Sequence, residues 1–203
     1  MFPIRDHNPS STRPVVTQAL IAINVVMFLV TAPWLGGMVG LWENLALYPV
    51  AVANGYNVWG LLTHMFLHAG LLHLGGNMLF LWIFGDNLEE QMGHAGFLVF
   101  YLLGGLAAAG FQMFADIGSG IPMVGASGAI FGLAGALIAR NFVVVVRRRL
   151  PMGPLVRSAA TLVVLNVALA LLVPQIAWQA HLGGFATGAA MGVAQALMRP
   201  RRA

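Results

Sequence analysis

The chain has 203 residues, of which 59% are hydrophobic and only 8% charged; ten arginines against six acidic residues give a net charge of +4, and there is no cysteine. A soluble domain carries roughly 25% charged residues, so the composition excludes an ordinary water-soluble domain and indicates an all-α, polytopic membrane protein. The missing cysteines exclude a disulfide framework, a thiolate nucleophile and a thiolate metal site, and no basic stripe interleaved with aromatics points to nucleic acid.

Residues 1–14 form a polar, Pro-rich tail. It does not read as part of a cleaved signal peptide, because no small-residue cleavage site follows the apolar run after it. A spanning helix needs roughly 20 mostly apolar residues, and six stretches meet that need: about 15–32, 71–91, 95–114, 125–146, 155–173 and 178–198. Between the first two lies a long connection, 33–70, carrying Trp34, Trp42, Tyr48, Tyr56 and Trp59. Such aromatics favour the membrane–water boundary, so this loop is expected to lie partly in the interface. The remaining connections are short. The expected organisation is one membrane domain, 15–198, between tails 1–14 and 199–203.

Arginine placement predicts the orientation. Arg5 and Arg13 precede the first span; Arg140, Arg147, Arg148, Arg149 and Arg157 sit around the fourth-to-fifth connection; Arg199, Arg201 and Arg202 follow the last. Six spans with both termini cytoplasmic put every arginine on the cytoplasmic side.

In that topology the second, fourth and sixth spans start on the outer side. Their starts carry the unusual polar residues: His73 and Asn77, then Ser127, then His181. At 1.5 Å rise per residue, Ser127 and His181 each lie within about 3–10 Å of their helix starts, so they share a depth if those helices are neighbours. Taken singly, a serine between glycines is ordinarily a close-packing position, and a lone histidine caps a helix or bonds a carbonyl. Four polar groups at one depth in a membrane indicate function, and a serine beside a histidine indicates a hydrolase. Gly184 and Gly188 form a G-x-x-x-G face after His181, and Gly128, Gly132 and Gly135 line the fourth span; small residues let helices approach closely, bringing Ser127 to His181. His64 and His68 stand four apart ahead of His73, but no H-E-x-x-H pattern and no carboxylate accompanies them. No metal and no cofactor are expected, and His64 and His68 read as structural histidines of the outer surface.

These residues, in this order, resemble the rhomboid intramembrane serine proteases in their minimal six-helix prokaryotic form. The family's H-x-x-x-N is His73–Asn77, preceded by His64 and His68. Its G-x-S-G is Gly125–Gly128, continuing to Gly132, and its A-H-x-x-G-x-x-x-G runs from Ala180 through His181 and Gly184 to Gly188. Glu89 and Gly93 match a glutamate and glycine near the inner end of the second span. The resemblance implies a Ser127–His181 dyad, with Ser127 as nucleophile and His181 as general base and then acid. The oxyanion donors would be the Ser127 N–H and the side chains of Asn77 and His73. No aspartate accompanies His181 in sequence, and Asp116 falls in a short outer loop, so packing by Phe131 is expected to orient the imidazole.

The substrates implied are transmembrane proteins entering from the lipid and cut near the outer face, with a small residue before the scissile bond; membrane lipids are the other partner. Two departures stand out. Gly60 follows Trp59 where the family often has arginine, which questions the bracing of the first loop, and Phe131 lacks the hydroxyl often found there. The short tails favour a prokaryotic plasma membrane, and the oligomeric state stays open. The alternatives are a non-catalytic rhomboid-like protein that binds and escorts membrane helices, and a transporter using His64, His68, His73 and His181 as a proton path; for the latter no internal repeat is visible.

Overall fold

A computed structural model describes residues 12–172 and 177–198. Most of the two tails, and with them Arg5, Arg199, Arg201 and Arg202, lie outside the described residues, as does Val173 at the end of the fifth stretch. Among the described residues every regular element is helical. Helix α1 (Val15–Thr31) leads into the long connection, which holds the short helices α2 (Val39–Leu45), α3 (Pro49–Ala53) and α4 (Gly60–Thr63). Then follow α5 (Leu71–Met92), α6 (His94–Ala115), α7 (Ser127–Arg148), α8 (Gly153–Leu172) and α9 (Trp178–Met198). Helices α6 and α7 are each long and apolar enough to cross a membrane, and the pair Gly60–Phe66 and Leu71–Met92, bent by 93°, brings that to three if counted as one span. Helix α1, with 17 residues, is apolar but shorter.

The fourth stretch was expected to turn helical from residue 125, but α7 begins at Ser127. The reason is Gly125, whose φ of +121° lies outside the helical region and is open to glycine. At the other end Arg149 takes the left-handed conformation and closes the helix, its N–H returning to Val145 and Val146 O.

Helix α7 is the central element. Its small face is sandwiched between α6 and α9, with Gly104 of α6 facing Ala129 and Gly132. Around it Phe28, Leu81, Phe84, Leu88, Phe97, Tyr101 and Leu133 are fully buried. Helix α8 stands apart: from 153 to 164 it buries only Leu162.

The long connection folds back on itself. Its segment 44–47 is gripped by the residues that lead into α5: Trp59 Nε1 donates to Asn44 O (2.7 Å), Thr63 Oγ1 to Leu45 O (2.6 Å) and Asn57 Nδ2 to Ala46 O (2.9 Å). Leu47 then exchanges backbone hydrogen bonds with Met123, tying the loop to the segment before α7. The arginine missing at position 60 therefore has replacements. It also has no room, since a Cβ on Gly60 would stand 2.8 Å from Ala46 O.

The other end of the bundle is held by one carboxylate. Helix α1 has Pro14 as its N-cap and no side-chain cap of its own, so its first N–H groups need outside acceptors. Glu89, near the end of α5 and 1% exposed, supplies them. Its Oε1 accepts Val16 N–H at 2.8 Å, its Oε2 accepts Thr17 N–H at 2.8 Å and Thr17 Oγ1–H at 2.7 Å, and His94 Nδ1 closes on Oε1 at 2.5 Å. Hydrogen bonds to a charged group contribute about 1.5–3 kcal/mol each, and an orphaned buried donor costs a comparable amount. Glu89→Ala should therefore destabilise the fold by about 3 kcal/mol or more, seen as earlier thermal unfolding in detergent. An unchanged midpoint would mean that water caps α1 equally well.

Candidate active site

Ser127 is the first residue of α7 and His181 the fourth of α9. The two helices meet backbone to backbone. A Cβ added to Gly184, Gly188 or Gly192 would come closer than 3.0 Å to the carbonyl oxygens of Gly128, Gly132 and Ala136 respectively, and one on Gly135 would strike Phe185 O. At this separation His181 Nε2 lies 2.7 Å from Ser127 Oγ. Serine can donate only if Nε2 is the unprotonated nitrogen; that tautomer is assigned from the contact. The imidazole is buried (8% exposed) and stacks on Phe131, one helical turn past the serine, with ring centroids 4.4 Å apart and planes 10° from parallel. Asp116 is exposed in the loop after α6.

The re-entrant segment 60–70 forms the wall behind the serine. His64 and His68 are buried in it, 1% and 2% exposed, and so are not on the outer surface as the sequence suggested. The segment turns inward before α5 begins, a path that no helical periodicity announces. His64 Nδ1 binds Gly60 O at 2.9 Å within the segment, and His64 O accepts Gly125 N–H at 2.9 Å, fixing the strand-like entry to α7. His68 meets His73 edge to face, centroids 5.1 Å apart. Among the described residues no group of three histidine or carboxylate side chains converges as a metal site.

His73 and Asn77 lie on the first turns of α5. His73 Nδ1 accepts Ala69 N–H at 3.4 Å, which assigns the ring proton to Nε2. That nitrogen points at Gly125: one point, the place a Cβ would take there, lies 2.7 Å from His73 Nε2 and 3.7 Å from Ser127 Oγ. Glycine is thus needed at 125 for its φ and for the space. Asn77 Nδ2 donates to His73 O at 2.9 Å, so one of its two amide hydrogens is used within its own helix. Helix α7 has no side-chain N-cap, and its first intrahelical bond is Ile130 N to Ala126 O. The N–H groups of Ser127, Gly128 and Ala129 are therefore outside the ladder, at the positive end of the helix. Ser127 and His73 are partly buried.

The arrangement brings together a serine hydroxyl, an imidazole in contact with it, and N–H groups left outside the helical ladder. Three features escaped the sequence reading: Gly192, the Gly125–His73 contact, and the grip of 57–63 on 44–47. Gly192 could have been found, since it continues the four-residue spacing of Gly184 and Gly188.

A family model described as the Rhomboid domain matches residues 55–197. Rhomboid protease GluP of Bacillus subtilis (strain 168) is 30% identical over 192 residues, covering 91% of this chain and 36% of its own length. RHOMBOID-like protein 6, mitochondrial, of Arabidopsis thaliana is 35% identical over 170 residues, 83% of this chain and 54% of its own length. Putative rhomboid protease YdcA of Bacillus subtilis (strain 168) is 34% identical over 182 residues, 86% of this chain and 85% of its own length. The chain thus spans only 36% and 54% of the length of the first two relatives.

The glycine contacts predict what separating α7 from α9 would do. Gly184→Val or Gly188→Val must push α9 off α7, and overpacking of this kind costs about 1–3 kcal/mol or more. Moving His181 by about 1 Å should cost on the order of 10²-fold in any rate that uses the pair. Reactivity of Ser127 toward a fluorophosphonate, measured on protein that still elutes as one species, is the check. Wild-type reactivity in both variants would show that α7 and α9 tolerate separation.

Proposed function

Because the chain belongs to the rhomboid family, we propose that it is an intramembrane serine endopeptidase acting on transmembrane proteins. The observation that carries this reading is the 2.7 Å contact between Ser127 Oγ and His181 Nε2, at the start of a helix whose free N–H groups face the same spot. The proposed setting is a prokaryotic plasma membrane crossed by six spans, α1 and α5 to α9, with both termini cytoplasmic. Arginine placement supports that orientation, and the domain reading of one membrane unit over 15–198 goes with it.

In the proposed reaction His181 Nε2 takes the Ser127 hydroxyl proton as Oγ attacks the scissile carbonyl carbon. The carbonyl oxygen becomes an oxyanion facing the Ser127 N–H, His73 Nε2–H and the second amide hydrogen of Asn77. Collapse expels the amine, which takes the proton from His181 and leaves an acyl ester on Ser127. A water, deprotonated by His181, then attacks the ester; as the carboxylic acid leaves, His181 returns the proton to Ser127 Oγ and restores the free enzyme. The stack on Phe131 holds the imidazole plane through both halves. A spanning helix hides its peptide bonds in its own hydrogen bonds, so the substrate must unwind near the outer face. Segments with glycine, proline or polar residues there are the proposed targets, entering from the lipid.

Ser127→Ala and His181→Ala should each abolish cleavage of a labelled transmembrane substrate by purified protein, and the double variant should be no worse than either. A fluorophosphonate should label wild type at Ser127 and not the alanine variant. Cleavage that survives Ser127→Ala sinks the proposal; a protein that binds the substrate but never cuts it would be an escort.

Asn77→Ala should lower kcat by about 10²-fold or somewhat less while leaving KM near its wild-type value, since the oxyanion exists only on the reaction path and other donors remain. The opposite split, a raised KM with unchanged kcat, would assign Asn77 to binding.

A further inference from the structure

Charge is distributed very unevenly along the chain. Asp116 is the last acidic residue, and eight of the ten arginines follow it. Arg147 is committed to the fold, its Nη1 donating to Ala196 O at 3.0 Å and tying α7 to the end of α9. Arg148 and Arg149 at the end of α7, and Arg157 in the second turn of α8, are exposed. Among the described residues, Asp86, Glu89 and Glu90 belong to α5, and Glu89 is occupied by α1 and His94.

Beside these arginines lies an apolar groove of about 400 Å³. Its lining includes Ile138 and Phe142 of α7, Met152 just before α8, Val156 and Ala159 of α8, and Val193 of α9. Arg157 directly follows Val156. Arg148 stands six residues beyond Phe142, about 9 Å along the helix axis. Three exposed arginines thus stand within a few residues of side chains that line a slot, and that lining has no polar side chain. Among the described residues of α8 from 153 to 164 only Leu162 is buried, so this stretch of the helix presents apolar surface outward. The chain is a membrane protein, so the filler is an amphiphile with a negative head.

We propose that this groove binds one anionic phospholipid, with an acyl chain along Phe142, Val156 and Ala159 and its phosphate on Arg148, Arg149 and Arg157. Bound there, the lipid supplies the inner half of α8 with the contacts that protein does not. Basic residues near a membrane surface each raise affinity for anionic lipid about fivefold at moderate ionic strength. The geometry adds a chain slot, which a merely charged surface lacks.

The test uses the whole chain in phosphatidylcholine nanodiscs containing a minor fraction of phosphatidylglycerol, with retained lipid read by native mass spectrometry after extraction. Wild type should keep one phosphatidylglycerol and no phosphatidylcholine. The triple variant Arg148→Gln, Arg149→Gln, Arg157→Gln should bind it about 10²-fold more weakly. Ala159→Phe fills the slot without changing charge and should lose the lipid too; Ala159→Leu serves if phenylalanine prevents folding, which monodisperse elution reports. Equal retention of both lipids by wild type overturns the proposal. So does full retention by the slot variants, which would leave only diffuse attraction to the surface, and so does a dimer that excludes lipid from the groove. None of these readings depends on proteolysis.

Discussion

The distance between α7 and α9 is the constraint on which the rest depends. Two apolar helices in lipid gain no hydrophobic free energy by touching each other, so their association rests on packing and on the closeness it allows. Here closeness is extreme: Gly128, Gly132 and Ala136 present carbonyl oxygens to Gly184, Gly188 and Gly192 with no space for a Cβ. Reactive side chains as short as serine reach across only at such a separation. The 2.7 Å contact of Ser127 with His181 is a by-product of the small residues below it.

Proximity alone would make an ordinary hydrogen bond. What distinguishes this pair is the surroundings assembled from distant parts of the chain. The re-entrant segment hands His64 O to Gly125 N–H, and Gly125 in its positive-φ conformation starts α7 late, leaving the first N–H groups outside the helical ladder. His73 comes in against the same glycine from α5. A single residue without a side chain thus sets the helix start, the approach of the imidazole and the position of the serine. Any Cβ there conflicts with two requirements at once.

The two ends of the bundle are stabilised by different chemistry. At the end away from the serine, Glu89 meets the first N–H groups of α1 and the hydroxyl of Thr17, a charge bound by several donors. At the serine end, side-chain donors from Asn57, Trp59 and Thr63 bind backbone carbonyls of 44–46. Both use polar side chains to satisfy backbone groups where helices stop, since unsatisfied backbone is costly away from water. The absence of arginine at position 60 is therefore a different solution to the same problem, with Ala46 O occupying the space next to Gly60.

Composition was enough to establish a helical membrane protein, because charge so scarce cannot cover a water-exposed surface. The apolar stretches predicted α5, α6 and α9 to within a residue or so at each end, since a spanning helix has a length that lipid dictates. The pairing of Ser127 with His181 was legible as an expectation, because both stand at helix starts and small residues repeat every fourth position below them. What sequence could not decide was whatever depends on the chain turning without periodicity. The inward bend of 60–70 buries His64 and His68, which local pattern placed at the surface, and the start of α7 moved to Ser127 because the conformation of Gly125 answers to His64 and His73, residues far away in sequence. Local propensity determines which segments are helices; the contacts between segments distant in the chain, each requiring space or a donor from another, determine where those helices begin and which side chains meet.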